Sequence, residues 1–193
     1  APLLAMDVLE WSRHFRCFPG QGEFDLPGFL APIIRTGYSG PLSLEIFNDG
    51  FRAAPPRANA VDGLRSLLYL EEKTRQLLAA DVQPANLDLL FDTPPASRYH
   101  GVEFLEFAVD EAAGAKLSGW LERLGFAKAG EHRSKDVSLL RQGDINIVLN
   151  AEPYSFAHGF FEAHGPSLCA TALKVKDGAT ALQRAIDYRG HPY

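Results

Sequence analysis

The sequence predicts an α/β arrangement in its first part and an α+β arrangement in its second part. In the first part, an apolar stripe with helical spacing leads through a short turn into an alternating segment, which is one helix–strand step of an α/β fold. From Gly101 the predicted elements follow the order β-α-β-β-β, and a strand and a helix then restart that order. The second part therefore contains one and a half copies of an internal repeat.

The helix of the first step is predicted between Asp25 and Gly37. Asp25 suits an N-cap, Pro27 suits a first turn, and Gly37 is a natural stop. Pro32 lies inside this helix and is expected to kink or shorten it. The strand that follows is predicted over residues 42–47, where apolar side chains alternate with Ser43, Glu45 and Phe47 after a Gly-Pro turn.

Glu45 is the unusual residue of that strand. Burying a bare carboxylate costs more free energy than a strand recovers, so a buried Glu45 should be paired, hydrogen-bonded or bound to a metal ion. The alternative is that Glu45 faces water at a sheet edge or pairs with an arginine.

A loop is predicted over residues 11–22, because it contains Pro19 and two glycines. It carries two arginines, a histidine and several aromatic residues, and loops with such side chains on a rigid scaffold are often functional. The alternative is a basic surface loop anchored by its aromatic residues. After the strand we expect a loop over residues 48–56, a covering helix over residues 59–78 and a connecting segment over residues 81–97.

The repeat in the second part begins with a strand over residues 101–109 and a helix over residues 112–124. Strands are predicted near residues 126–132, 137–142 and 145–150. A loop rich in Phe, His and Gly precedes the restarted strand at residues 168–175 and helix at residues 179–188. Because half a repeat leaves a sheet without its remaining strands, we expect further sequence beyond Tyr193.

Composition restricts the classes of function. The 193 residues allow one or two domains, and the net charge of −5 argues against a general affinity for nucleic acid or anionic membranes. No run reaches the roughly 18 apolar residues of a membrane span, and no signal peptide is recognisable. Cys17 and Cys169 are expected to be reduced, mostly buried thiols of a cytoplasmic protein.

Two stretches resemble a known family. Residues 13–22 with residues 42–49 resemble the last part of a (β/α)8 TIM barrel of the sugar-phosphate isomerase/epimerase type. Residues 101–193 resemble the start of a vicinal-oxygen-chelate module similar to 4-hydroxyphenylpyruvate dioxygenase. This fused order is similar to that of the bacterial two-domain 3-dehydroshikimate dehydratases. The resemblance implies a barrel end at residues 1–80, a linker at 81–98 and a partial vicinal-oxygen-chelate domain at 99–193.

The resemblance also implies residue roles. Glu45 matches the last metal-binding Glu of the barrel family, with Mg²⁺ or Mn²⁺ as the expected cofactor and the other ligands before Ala1. Arg16, within Arg-x-x-Pro-Gly, matches the substrate-binding arginine. In the second domain, Phe104 and Ala170 stand where metal-binding modules carry histidine, so this half-module is expected to be metal-free. His158 and His164 are a weaker candidate metal pair.

The implied activity is that of a lyase, which dehydrates 3-dehydroshikimate to protocatechuate in quinate and shikimate breakdown. The alternatives are an isomerase or epimerase of small hydroxy-ketones such as hydroxypyruvate, or a noncatalytic piece. The expected partner is a small-molecule substrate and neither nucleic acid nor membrane; a homo-oligomer stays open. The isolated 193-residue chain is expected to be inactive and poorly folded.

Overall fold

A computed structural model describes residues 7–80 and 87–192. They fall into two compact units, one formed by residues up to 96 together with residues from 179 onward, and the other by residues 97–178. Each unit has its own apolar core. Among the helices that these residues form, none combines the length and apolar character of a membrane span.

The helices and strands are as follows. The helices of the described residues are Val8–His14 (α1), Leu26–Arg35 (α2), Asp49–Ala53 (α3), Pro56–Leu78 (α4), Glu111–Arg123 (α5), Phe156–His164 (α6) and Gly178–Asp187 (α7), with a 3-10 turn at Leu87–Leu89. The strands are Tyr99–Ala108 (β1), Ala127–Glu131 (β2), Val137–Gln142 (β3), Ile145–Asn150 (β4) and Ser167–Val175 (β5).

The first unit is built on the pairing of α2 with α4. The carboxylate of Asp25 caps α2 by accepting a hydrogen bond of 2.9 Å from the Gly28 amide, as predicted. Gly37 follows the helix with a φ of 87°, a conformation that favours glycine. Pro32 is accommodated inside α2 without ending it. Their shared core contains the buried residues Leu30, Ala31, Ile34, Leu78 and Leu90.

Three segments predicted as loops contain helices instead. In α1 the Asp7 carboxylate accepts from the Leu9 amide at 2.9 Å, and in α3 the Asn48 side chain accepts from the Phe51 amide at 3.1 Å. In α6 the Ser155 hydroxyl accepts from the His158 amide at 3.1 Å. Each N-cap satisfies an amide that water would otherwise solvate, and this local bond outweighs the nearby Gly and Pro signals.

The strand predicted over residues 42–47 is not formed, so that prediction was wrong. These residues follow an irregular path, and outside the named strands the described residues contain one isolated bridge, between Phe15 and Asn48. A strand is defined by hydrogen bonds to a neighbour, and the described part of this unit supplies no strand beside residues 42–47. Alternation alone predicts an extended segment and not the partner that makes it a strand.

The second unit is a five-stranded mixed sheet in the order β2-β3-β4-β1-β5. Strands β1 and β4 are parallel, and the other neighbours are antiparallel. Helix α5 covers one face, where Leu117 and Leu121 pack against a core of Val109, Leu140, Ile147 and Leu149. The predicted β-α-β-β-β order and its restart at β5 are confirmed.

A buried ionic cluster joins α7 to α4 within the first unit. The Glu72 side chain is only 5% exposed, and it accepts hydrogen bonds of 3.1 and 2.8 Å from the Arg184 guanidinium. The Tyr188 hydroxyl also donates to this carboxylate. Arg184 further donates to the Pro94 carbonyl at 2.7 Å. Each buried charge is therefore both paired and hydrogen-bonded.

The cluster changes the acidity of its members. Burial raises the pKa of Glu72, but the hydrogen bonds from Arg184 and Tyr188 and the nearby positive charge together lower it more, so the net pKa is below the ordinary value. Burial and then the hydrogen bond to Glu72 raise the pKa of Tyr188. Glu72 is therefore held as a carboxylate and Tyr188 as a neutral hydroxyl donor.

We expect Arg184→Met to destabilise the first unit by about 3 kcal/mol, because it leaves the Glu72 charge buried without its cation. Urea denaturation of a full-length protein containing this chain measures the change. Lys174→Met is the matched control, since it removes an exposed partner 3.9 Å from Glu103 and should change stability much less. Equal effects of the two substitutions would contradict a special role for the buried pair.

The stabilisation from Glu72 should depend on pH. Because the folded pKa is depressed, the contribution is present above the unfolded value of 4.5 and is lost as the pH falls through the folded pKa. The difference in unfolding free energy between the wild type and Glu72→Gln should therefore shrink from neutral pH to below 4.5. A difference that stays constant or grows on acidification would be the opposite result.

Candidate functional site

The candidate site is a cavity of about 690 Å³ in the first unit. Arg16 and Glu45, the two site residues predicted from the sequence, both line it. Its wall also includes the aromatic residues Trp11, Phe15 and Phe24. The structure therefore brings the two predicted residues to one cavity, although they lie on different segments of the chain.

Backbone pairing brings those two segments together. The Arg16 amide donates to the Phe47 carbonyl at 3.0 Å, next to the bridge between Phe15 and Asn48. The Asn48 side-chain amide donates to the Arg16 carbonyl at 2.9 Å. These contacts hold the Arg16 backbone beside the end of the segment that carries Glu45.

Helix α4 supports the site from behind. Phe18 is 7% exposed, and its ring stacks on that of Phe51 with centroids 4.5 Å apart. Gly63 on α4 permits this close approach, because a Cβ there would lie 3.3 Å from the Phe18 ring and 3.6 Å from Leu44. The predicted covering helix α4 thus packs against both segments of the site.

Arg16 is half-buried and anchored on one side of its guanidinium. Its Nε donates to the Ser12 carbonyl at 2.6 Å, and its charged group lies 5.1 Å from the centroid of the Phe47 ring. Among the described residues, the two terminal nitrogens have no hydrogen-bond acceptor. Arg16 is therefore positioned by its inner nitrogen, while no residue of the described ranges occupies its outer nitrogens.

Glu45 is exposed, and within the described ranges it has no hydrogen bond or ion pair. It matches the alternative in which this carboxylate faces water, and it is available to a cation. One carboxylate does not make a metal site, and the described residues contain no group of three His, Cys, Asp or Glu side chains arranged to hold a metal ion. Glu45 fits the role of one oxygen ligand only.

His14 received no role from the sequence, yet the structure gives it a partner. Its Nδ1 lies 2.8 Å from the Asp49 carboxylate, which is 35 residues away along the chain. No local spacing signals this pair, because the contact depends on the two segments of the site meeting.

Cys17 lines the cavity and is exposed, so the prediction that it is buried was wrong. Cys169 is half-buried, and burial raises the pKa of its thiol.

The candidate residues of the second unit lie on β1, β5 and α6. Phe104 on β1 lines a separate cavity of about 310 Å³, and Ala170 lies on β5 opposite Glu106. Neither side chain carries a ligand atom for a metal. His158 and His164 lie on α6, where the His158 Nε2 is 3.4 Å from Glu162.

The family comparison decides the class of the second part. Residues 91–193 match the family described as hydroxyphenylpyruvate dioxygenase, N-terminal. The chain belongs to this family. The family match includes the whole mixed sheet, and it also includes α7, which packs in the first unit.

Close relatives extend over the whole chain. It is 76% identical over all 193 residues to the 3-dehydroshikimate dehydratase of Pseudomonas aeruginosa and 75% identical to that of Pseudomonas putida. The chain spans about 30% of the length of each of these curated relatives. These identities confirm the predicted resemblance to 3-dehydroshikimate dehydratases.

A solved structure supports the same relation. It is described as a xylose isomerase-like TIM barrel/4-hydroxyphenylpyruvate dioxygenase fusion protein, and it matches with a TM-score of 0.86 and 75% sequence identity. The match covers 100% of this chain and 31% of that protein. By its description, this relative joins a TIM barrel to a part similar to 4-hydroxyphenylpyruvate dioxygenase.

Proposed function

We propose that a full-length protein containing this chain is a metal-dependent lyase that dehydrates 3-dehydroshikimate to protocatechuate. The observation that carries the proposal is the shared cavity of Arg16 and Glu45. The identity of 76% over the whole chain to a protein named 3-dehydroshikimate dehydratase supports it. The barrel domain is proposed as the place of catalysis.

The proposal includes a division of the chain. Residues 1–80 are the C-terminal part of the barrel, residues 81–98 connect the domains, and residues 99–193 begin the vicinal-oxygen-chelate domain. Six residues of the proposed connection, 81–86, lie outside the described part of the chain. The name of the fused relative supports the order of barrel and dioxygenase-like domain.

Glu45 is proposed as one ligand of a divalent cation. A carboxylate oxygen suits hard cations such as Mg²⁺ and Mn²⁺, and Glu45 is exposed to the cavity without a protein partner among the described residues. The remaining ligands would come from outside these 193 residues. When bound, the cation supplies Lewis-acid stabilisation of negative charge on the substrate oxygen.

Arg16 is proposed to bind the substrate carboxylate. Its anchored Nε and the Phe47 ring, 5.1 Å from its charged group, restrain the guanidinium, which lowers the entropy lost when an anion binds. The free outer nitrogens suit the two oxygens of a carboxylate. Held in this way, 3-dehydroshikimate would occupy the cavity that Glu45 and the aromatic residues also line.

The reaction removes a proton next to the substrate ketone and expels a hydroxyl group as water. Loss of water leads to the aromatic ring of protocatechuate. Within this chain, Arg16 would orient the substrate and Glu45 would hold the cation, while the general base is proposed to lie elsewhere in the full-length protein. The geometry of Arg16 and Glu45 would serve an isomerase of hydroxy-ketones equally well, and the identity to named dehydratases favours the lyase.

Glu45→Gln in the full-length protein should lower both the bound divalent ion and the rate of protocatechuate formation. The reason is that an amide is a weaker ligand than a carboxylate for a hard cation. Metal content is measured by elemental analysis, and product by its absorbance with Mg²⁺ and then with a chelator. Glu23→Gln is the matched control, because Glu23 lines the same cavity and should leave the metal content unchanged.

Two results would refute this proposal. One is dehydration that neither chelation nor Glu45→Gln affects. The other is interconversion of hydroxy-ketones without dehydration, which would establish the isomerase instead.

Arg16→Gln should raise the KM for 3-dehydroshikimate about 10- to 100-fold, since a hydrogen bond to a charged group contributes about 1.5–3 kcal/mol. Steady-state kinetics measure the change. Arg13→Gln is the control, because Arg13 lies on α1, three residues before Arg16, and outside the cavity lining. An unchanged KM for Arg16→Gln would remove Arg16 from the substrate site.

A further inference from the structure

We propose that His14 and Asp49 form a clamp that positions Arg16, so that His14 is a positioning residue of the candidate site. The inference rests on the proposed function, because it concerns how Arg16 is held for substrate. The His14 Nδ1 and the Asp49 Oδ2 are 2.8 Å apart. A carboxylate only accepts hydrogen bonds, so the imidazole donates, either protonated or as the neutral Nδ1–H tautomer.

The clamp joins the two elements on which Arg16 depends. His14 is the last residue of α1, and Asp49 is the first residue of α3. The Nε of Arg16 is bonded to Ser12 on α1, and its guanidinium lies over Phe47, two residues before Asp49. A shift of α1 relative to residues 47–49 would therefore move one support of the guanidinium away from the other.

The backbone pairing beside α1 is short. Phe15 and Asn48 form an isolated bridge, whereas regular strands are fixed by successive pairs. The side-chain pair of His14 and Asp49 adds an attachment on the α1 side of that bridge, whereas the bond from Asn48 to the Arg16 carbonyl lies on its other side. Attachments on both sides of the bridge restrain the direction of α1, and with it the place of the outer nitrogens of Arg16.

His14 acts through Arg16 and not on the substrate. Neither His14 nor Asp49 is among the side chains that line the cavity. The charge of Asp49 is shared with Arg52, whose Nη1 lies 3.8 Å from the other carboxylate oxygen. The Phe15 ring, at 6.4 Å between centroids, is the aromatic neighbour of His14. The pair is thus a structural contact placed two residues from a proposed substrate contact.

The test uses the full-length protein with His14→Gln, Asp49→Asn and the double substitution. The side chains are 42% and 57% exposed, so the pair is an ordinary surface contact. Each single variant should raise the KM for 3-dehydroshikimate about two- to fivefold, with kcat and metal content unchanged. The double variant should be no worse than Asp49→Asn alone, since that substitution already removes the contact with His14 and also weakens the one with Arg52.

His158→Gln is the matched control. His158 is 41% exposed and also lies near a carboxylate, that of Glu162 at 3.4 Å on α6. Removing that pair should leave KM at the wild-type value. A rise of KM in His158→Gln equal to that in His14→Gln would show a nonspecific effect and overturn the clamp.

Hydrogen exchange separates the clamp from the proposed function. In His14→Gln and Asp49→Asn, amides of residues 8–18 should exchange faster than in the wild type, whether or not the protein has lyase activity. Unchanged exchange overturns the clamp. Faster exchange with an unchanged KM limits the pair to a structural role and overturns its positioning of Arg16. A wild-type protein that forms no protocatechuate refutes the lyase and leaves the exchange result to decide the clamp.

Discussion

The candidate site depends on the meeting of two chain segments that are more than thirty positions apart. The Arg16 amide bonded to the Phe47 carbonyl, at 3.0 Å, is the central contact. On one side of it lies the stack of Phe18 on Phe51, and on the other lies the pair of His14 with Asp49. Without this pairing, Arg16 and Glu45 would not share a cavity.

The second unit was predictable because its sheet contains its own hydrogen-bond partners. Strands β3 and β4 pair residue by residue over their whole lengths, and the turn between them is short. Their period-two patterns therefore predicted real strands. The segment at residues 42–47 shows an equally regular alternation, but no strand of the described residues lies beside it. The pattern therefore predicted an extended backbone but not the hydrogen-bonded partner that a strand needs.

For the candidate site, the sequence predicted which residues take part but not their burial or their contacts. The resemblance selected Arg16 and Glu45, and both lie in the cavity. The sequence left open whether Glu45 would be buried or face water, and the structure shows it exposed. Asp49 as the partner of His14 was beyond sequence reasoning, since a tertiary contact over 35 positions leaves no periodic signal. Short helices were missed because a single capping side chain determines them.

The cluster around Glu72 has a consequence for the order in which the protein becomes structured. The carboxylate and the guanidinium that neutralises it are separated by 112 positions along the chain. On the ribosome, which adds residues from the N-terminus, α4 is complete long before Arg184 has been made. Until then Glu72 has neither the guanidinium nor the Tyr188 hydroxyl that it bonds in the folded unit, so burying this face of α4 would cost free energy. The first unit therefore takes part of its packing from residues that are synthesised with the dioxygenase-like segment.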